Sequence, residues 1–146
     1  MIALKNVSKV YQTKTIETVA LNEITLTIEE GEFLSVMGPS GCGKSTLLNI
    51  MGMIDEPSAG QINIGGKMVD DYGSKATARF RNENLGFSFQ SFHLINDLSV
   101  IDNVELPLLY RKTTSKQRRE LAEAALTKVG LKNRMKHFPS QLSGCQ

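Results

Sequence analysis

The sequence predicts an α/β core with a helical insertion. Three observations lead there. The first forty residues carry the two-residue alternation of strands. A glycine-rich loop, Gly38 to Thr46, lies between a short apolar run and an apolar helical segment. Beyond Val100 the pattern changes to helical spacing, so strands dominate the front of the chain and helices the back.

The elements follow in order. Ile2, Leu4 and Asn6 alternate with Ala3, Lys5 and Val7 in a strand that ends near Tyr11. Ile24, Leu26 and Ile28, with Thr25 and Thr27 between them, form a second strand. Glu29 to Glu32 is a turn around Gly31. Phe33 to Met37 is short and largely apolar, the pattern of a buried strand. Leu47 to Met53 reads as an apolar helix that Pro57 to Gly60 breaks. Gln61 to Ile64 is a strand ending at Gly65-Gly66. Residues 74–83 are polar and helical, and Leu85 to Phe89 is apolar and β-prone. Val100 to Leu109 is a helix interrupted by Pro107. Thr114 and Gln117 have the spacing of a capping box. In the helix they start, Leu121, Ala125 and Val129 recur every four residues, with Ala122 and Leu126 beside them. Gly130 stops it from the position just past its end.

Composition excludes several classes. Of 146 residues, 40% are hydrophobic and 22% charged, the profile of a globular chain rather than a disordered or fibrous one. No run reaches the length of about 18 apolar residues that a membrane helix needs. The N-terminus lacks the apolar core of a signal peptide, which predicts a cytoplasmic location. Cys42 and Cys145 lie too far apart for metal-ligand spacing and read as free thiols. The net charge of +2 hides an asymmetry: residues 1–110 carry −5, and residues 111–137 carry +7. A basic segment can mark a nucleic-acid surface. Here it has no interleaved aromatics, and it fits the solvated face of a helix.

Gly38 to Ser45 matches G-x-x-x-x-G-K-[ST]. A triphosphate is a dense anion that needs several donors converging without side chains in the way. Gly38, Gly41 and Gly43 allow backbone angles that turn successive N–H groups toward phosphate, with Pro39, Ser40 and Cys42 between them. The helix starting near Lys44 adds the positive end of its dipole. Lys44 supplies a point charge for the β- and γ-phosphates. Ser45 offers a hydroxyl to Mg²⁺, and Thr46 a second one near the phosphates.

With two further motifs the sequence resembles the ATP-binding domain of ABC transporters. Phe87-Ser88-Phe89-Gln90-Ser91-Phe92 resembles the family's Q-loop, and Leu142-Ser143-Gly144-Cys145-Gln146 its LSGGQ signature. Their order after the phosphate loop is also the family's. Ile54-Asp55-Glu56-Pro57 and Asp102 to Leu108 resemble the macrolide-export and lipoprotein-release branch. The resemblance implies a P-loop NTPase core, with N-terminal antiparallel strands and an incomplete, mostly parallel sheet, over residues 1–90. A helical subdomain would follow over residues 91–146.

The implied roles go residue by residue. Tyr11 would stack on adenine. Gly38 to Thr46 would cradle the phosphates of ATP. Gln90 would reach Mg²⁺ or the attacking water and report nucleotide state to a transmembrane permease subunit. Phe92, Leu94, Ile95 and the region of Val104 to Leu109 would face that subunit, or equally form the core of the helical insertion. Ser143, Gly144 and Gln146 would act in trans, on ATP held by a second copy in a head-to-tail dimer. The implied catalytic residues are Lys44 and Gln90, the implied Mg²⁺ ligands are Ser45 and Gln90, and the implied location is peripheral, on the inner face of the cell membrane.

Two departures qualify the match. Cys145 stands where the signature has glycine. The family's Walker B aspartate, catalytic glutamate and switch histidine are not among these residues, so the sequence reads as the first part of a domain of roughly 220–240 residues. In that form it is expected to bind nucleotide but to hydrolyse it poorly or not at all, and, with an open sheet edge, to be poorly soluble or stabilised by swapping or dimerisation. Met53 to Glu56 imitates a metal-binding strand end. On one continuous helix, however, Asp55 would lie about 15 Å from Ser45, and it is rejected as a ligand. Two alternative readings stand beside the transporter: a soluble ABC ATPase acting on nucleic acid or ribosomes, and a non-catalytic truncated copy.

Overall fold

The computed structural model describes residues 1–70, 72–89 and 92–144. The chain divides into two compact units, Met1–Leu85 and Gly86–Gln146.

The first unit is built on a four-stranded sheet of β1 (Ile2–Gln12), β2 (Glu17–Ile28), β3 (Ala59–Ile64) and β4 (Lys67–Met68), in the order β2-β1-β3-β4. Among the described residues every pairing is antiparallel. Leu4 is the pivot of the register, opposite Leu26 on one side and Ile62 on the other. The β1–β2 ladder shifts register beyond Leu4. There Asn6 and Glu23 take positive φ (51° and 49°), and Thr25 bridges the irregularity, accepting from the Asn6 amide and donating to its side chain. β2 begins well before the Ile24–Ile28 alternation, because pairing with β1 extends it back to Glu17.

Helix α1 (Lys44–Met51) packs its Leu47, Ile50 and Met51 against Leu4, Val7, Leu21, Ile62 and Ile64 of the sheet. Each such side chain removed from water contributes about 1.5–3 kcal/mol before entropy is charged against it. The helix is shorter than the apolar run suggests. Gly52 caps it, and Met53, although buried, already has a φ of 55°. Helix α2 (Lys75–Asn84) starts at Ser74, whose hydroxyl accepts from the Thr77 amide.

Two apolar segments differ from expectation. Phe33–Met37 and Leu85–Phe89 join no ladder among the described residues. A buried strand is buried by its neighbours, and here only Val36 and Leu85 pack on the core. Phe33 is 95% exposed and Met37 85%. The strand expected at Phe33–Met37 is therefore neither buried nor paired.

The second unit is helical: α3 (Val100–Glu105), a 3₁₀ turn over Leu106–Tyr110, and α4 (Ser115–Lys128). The 3₁₀ turn starts where Pro107 cannot continue an α-helix. The capping box forms as the spacing predicts: Thr114 Oγ1 accepts from the Gln117 amide, and Gln117 Oε1 accepts from the Thr114 amide. The first amides of α3 are satisfied from a distant segment. Val100 N donates to His137 O and Ile101 N to Met135 O, at 2.8 and 3.0 Å. The face of α4 that is buried carries Ala122 and Leu126, which meet Val100 and Ile101. Leu121, Ala125 and Val129 lie on the neighbouring stripe and are exposed, because α3, Leu131, Met135 and Leu142 cover only one side of the helix. Arg119 joins the two helices through ion pairs to Asp102 (2.9 Å) and Glu105 (3.0 Å).

Candidate functional site

The glycine-rich loop forms as a turn between Met37 and α1, and its backbone takes positive φ at each of its glycines, a region that side chains disfavour. Gly38, Gly41 and Gly43 have φ of 154°, 81° and 90°. A Cβ on Gly43 would stand 2.4 Å from the Ala20 carbonyl oxygen of β2, and one on Gly38 would stand 2.7 Å from Cys42 Sγ. The loop is thus pressed against the sheet and closed on itself, as a cradle for phosphate requires.

Gly43 caps α1 in the left-handed region with no side chain on the helix's first amides. Those amides, with the dipole behind them, face the loop and suit an anion. Lys44 lies across the loop, its ammonium donating to the carbonyls of Gly38 (2.8 Å) and Pro39 (2.6 Å) and to Cys42 Sγ (3.5 Å). A cation held by neutral acceptors keeps its full charge for a phosphate. Pro39, Ser40, Cys42 and Ser45 are exposed, and Thr46 is half-buried.

The donor set fits Mg²⁺ in the manner of a nucleotide site. Among the described residues, no group of three or more His, Cys, Asp or Glu could hold a metal. Mg²⁺ in phosphate sites takes one or two protein oxygens and otherwise phosphate and water, and Ser45 at the second position of α1 offers such an oxygen. Gln90, Cys145 and Gln146 lie outside the described residues.

Tyr11 is brought toward the loop by strand register. It pairs with Thr18, two residues before Ala20, so about 7 Å of strand separates its partner from the carbonyl behind Gly43. Its hydroxyl donates to Asp55 Oδ2 at 2.7 Å, and the Lys9 ammonium sits 5.0 Å from its ring centre. Tyr11 is 43% exposed. Asp55 is not on α1, which ends at Met51; it lies in the turn that follows and is occupied by Lys9 and Tyr11. Neither Lys9 nor Asp55 follows from the motifs. Lys9, two residues before Tyr11, had the spacing of a same-face neighbour as its signal. Asp55 stands in the Ile54–Pro57 motif, but nothing in that motif signals its contact with a hydroxyl 44 residues away.

The second unit carries Ser143 and Gly144, both exposed. They edge an open cleft of about 380 Å³ that Phe92, Leu94 and Pro139 also line. Leu142 anchors this segment by packing on the α3–α4 core. Phe92 is 70% exposed, and Leu94 and Ile95 are exposed with it. Val104 instead packs into the core, while Leu109 is exposed.

Comparison with known proteins gives a consistent result. The sequence profile of the family described as ABC transporter matches residues 21–146. An uncharacterized ABC transporter ATP-binding protein of Methanocaldococcus jannaschii, MJ1508, is 47% identical over all of this chain, which spans 65% of that protein. The macrolide export ATP-binding/permease protein MacB 2 of Yersinia pestis is 44% identical over the same residues, which are 22% of its length. The dimeric post-hydrolysis structure of the ATP-binding cassette MJ0796, bound to ADP and Pi, superposes with a TM-score of 0.89 at 40% identity, covering 99% of this chain and 64% of that one. The fold is accordingly that of a P-loop NTPase. The family profile over residues 21–146, the relatives and the cassette structure agree: this chain belongs to the ABC transporter family.

Proposed function

We propose that this chain is the ATP-binding part of an ABC transporter that couples ATP binding and hydrolysis to membrane transport. The observation that carries this reading is the cradle at Gly38–Thr46. Gly43 has no room for a Cβ against the Ala20 carbonyl of the sheet, all three loop glycines have positive φ, and the loop leads into a helix whose first amides carry no side-chain cap.

In this reading the amides of residues 38–46 and the Lys44 ammonium hold the phosphates, and the open face of Tyr11 takes the adenine ring. Mg²⁺, when bound, neutralises charge on the phosphates, and Ser45 and Gln90 are its protein ligands. Lys44 and Gln90 serve the reaction itself, Lys44 through its charge on the phosphates. Ser143, Gly144 and Gln146 meet ATP held by a second copy in a head-to-tail dimer; the cassette MJ0796 is described as dimeric. The exposed Phe92, Leu94 and Ile95 face a permease subunit, and the name of MacB 2 joins ATP-binding to permease in one protein. Among the described residues no helix is long and apolar enough to cross a membrane. In this reading a permease subunit supplies the membrane connection, at the inner face of the cell membrane.

The test is displacement of a fluorescent ATP analogue by ATP in the wild-type chain and in Lys44→Ala. A charge-assisted contact to phosphate is worth about 1.5–3 kcal/mol, so the variant should bind about 10- to 100-fold more weakly. Equal affinity would remove Lys44 from the site.

A further inference from the structure

Asp55 is half-buried in the turn after α1, and three separate attachments fix that turn. The amides of Ile54 and Asp55 both donate to the Asn49 carbonyl of α1, at 2.8 and 3.3 Å. Met53, 2% exposed, gives its carbonyl to Arg81 of α2 at 2.6 Å. Ser58, just beyond, pairs with both the amide and the carbonyl of Val10 in β1. The carboxylate then reaches β1 with both oxygens. Oδ1 accepts from Lys9 Nζ and Oδ2 from the Tyr11 hydroxyl, each at 2.7 Å. Lys9 Nζ also donates to the Glu56 carbonyl at 2.6 Å. An unbroken line of hydrogen bonds thus runs from the helix that begins at the phosphate loop to the ring at the end of β1.

We propose that Asp55 is a positioning residue for adenine recognition: it holds the Tyr11 ring at a set place relative to the phosphate loop. The proposal rests on the reading that Tyr11 stacks on the base. A tyrosine at an exposed strand end would otherwise sample several rotamers, and base binding would have to order it. A hydroxyl held by a carboxylate is a charge-assisted bond that removes this freedom before the ligand arrives. Lys9 adds to the restraint by sitting over the ring at 5.0 Å. Partial burial pulls the Asp55 carboxyl up, but the bonds from Lys9, Tyr11 and the Glu56 amide outweigh it and hold the pKa below the ordinary value. The acceptor is therefore ionised at neutral pH. The consequence is specific: Asp55 acts on the nucleoside end of ATP and not on its phosphates.

The test compares the affinity of the full chain for ATP and for inorganic tripolyphosphate. Asp55→Ala should weaken ATP about three- to tenfold, the range expected for ordering one side chain on binding, and leave tripolyphosphate unchanged. Asp55→Asn, which keeps an acceptor for the hydroxyl, should recover most of the loss. Tyr11→Phe keeps the ring and removes only the hydroxyl, so it reports even if Asp55→Ala does not fold. It should lose as much as Asp55→Ala, with no further loss in the double variant. Equal weakening of both ligands by Asp55→Ala would overturn the proposal in favour of a general structural role. So would unchanged ATP binding in Asp55→Ala and Tyr11→Phe alongside a loss in Tyr11→Ala, which would leave stacking intact. No loss in Tyr11→Ala would overturn the stacking reading and the proposal with it.

Discussion

Gly43 lies so close to Ala20 that a Cβ on the glycine would stand 2.4 Å from the alanine's carbonyl oxygen. This contact sets the phosphate loop on β2, and through the β1–β2 ladder it sets the loop relative to Tyr11. Gly43→Ala meets backbone, which cannot swing aside, at a φ of 90° that side chains disfavour. The variant should lose about 1–3 kcal/mol of stability and most of its ATP affinity. Chemical denaturation and nucleotide titration check the two parts. Wild-type affinity in Gly43→Ala would mean that the loop does not need its seat on the sheet.

The Tyr72 hydroxyl is a liability. It is buried with no hydrogen-bond partner among the described residues. Burial, and then the charge of Glu56, push its pKa up to about 12. Tyr72→Phe removes an unsatisfied polar group and keeps the ring, so stability should hold or rise by about 1 kcal/mol. A loss of that size on denaturation would show that the hydroxyl has a partner after all.

Two carboxylates make stability depend on acid. Asp55 is held low by Lys9, Tyr11 and the Glu56 amide against the opposing effect of burial. Asp102 is held low by the Ser99 hydroxyl first and then by Arg119. Both are more acidic folded than unfolded. Their contribution is complete above the ordinary value of about 4 and is lost as pH falls through the folded values. The stability difference between wild type and Asp55→Asn should therefore be constant from about pH 7 to pH 5 and shrink below about pH 4. A difference that grows in acid would contradict the pairing.

The start of α4 is a local device. Thr114→Ala removes one half of the capping box and should cost about 1 kcal/mol, measured by denaturation. Gln117→Ala should cost less, since Thr114 keeps its own bond to the Gln117 amide. No effect in either variant would mean that α4 starts without its cap.

Features set by neighbouring residues were legible in the sequence. The Thr114–Gln117 box, the break at Pro107, the stop at Gly130 and the phosphate loop all depend on spacings within a few positions. What depended on tertiary partners was not. Phe33–Met37 has the composition of a buried strand, but burial is a property of neighbours, and Phe33 and Met37 are exposed. Two apolar stripes compete on α4, and only the packing of α3 selects Ala122 and Leu126 over Leu121 and Val129. Asp55 read as a false metal ligand on a long helix. Gly52 and the positive φ of Met53 end that helix early and turn the carboxylate toward β1.

The central claim is that the backbone of residues 38–46 is the phosphate site. Amide chemical shifts of the full chain, recorded as MgATP is added, test it residue by residue. The largest changes should fall on the amides of Gly41, Gly43, Lys44 and Ser45, and Lys44→Ala should move their midpoint to about 10- to 100-fold higher nucleotide concentration. Saturable changes centred elsewhere, with these amides unmoved, would contradict it.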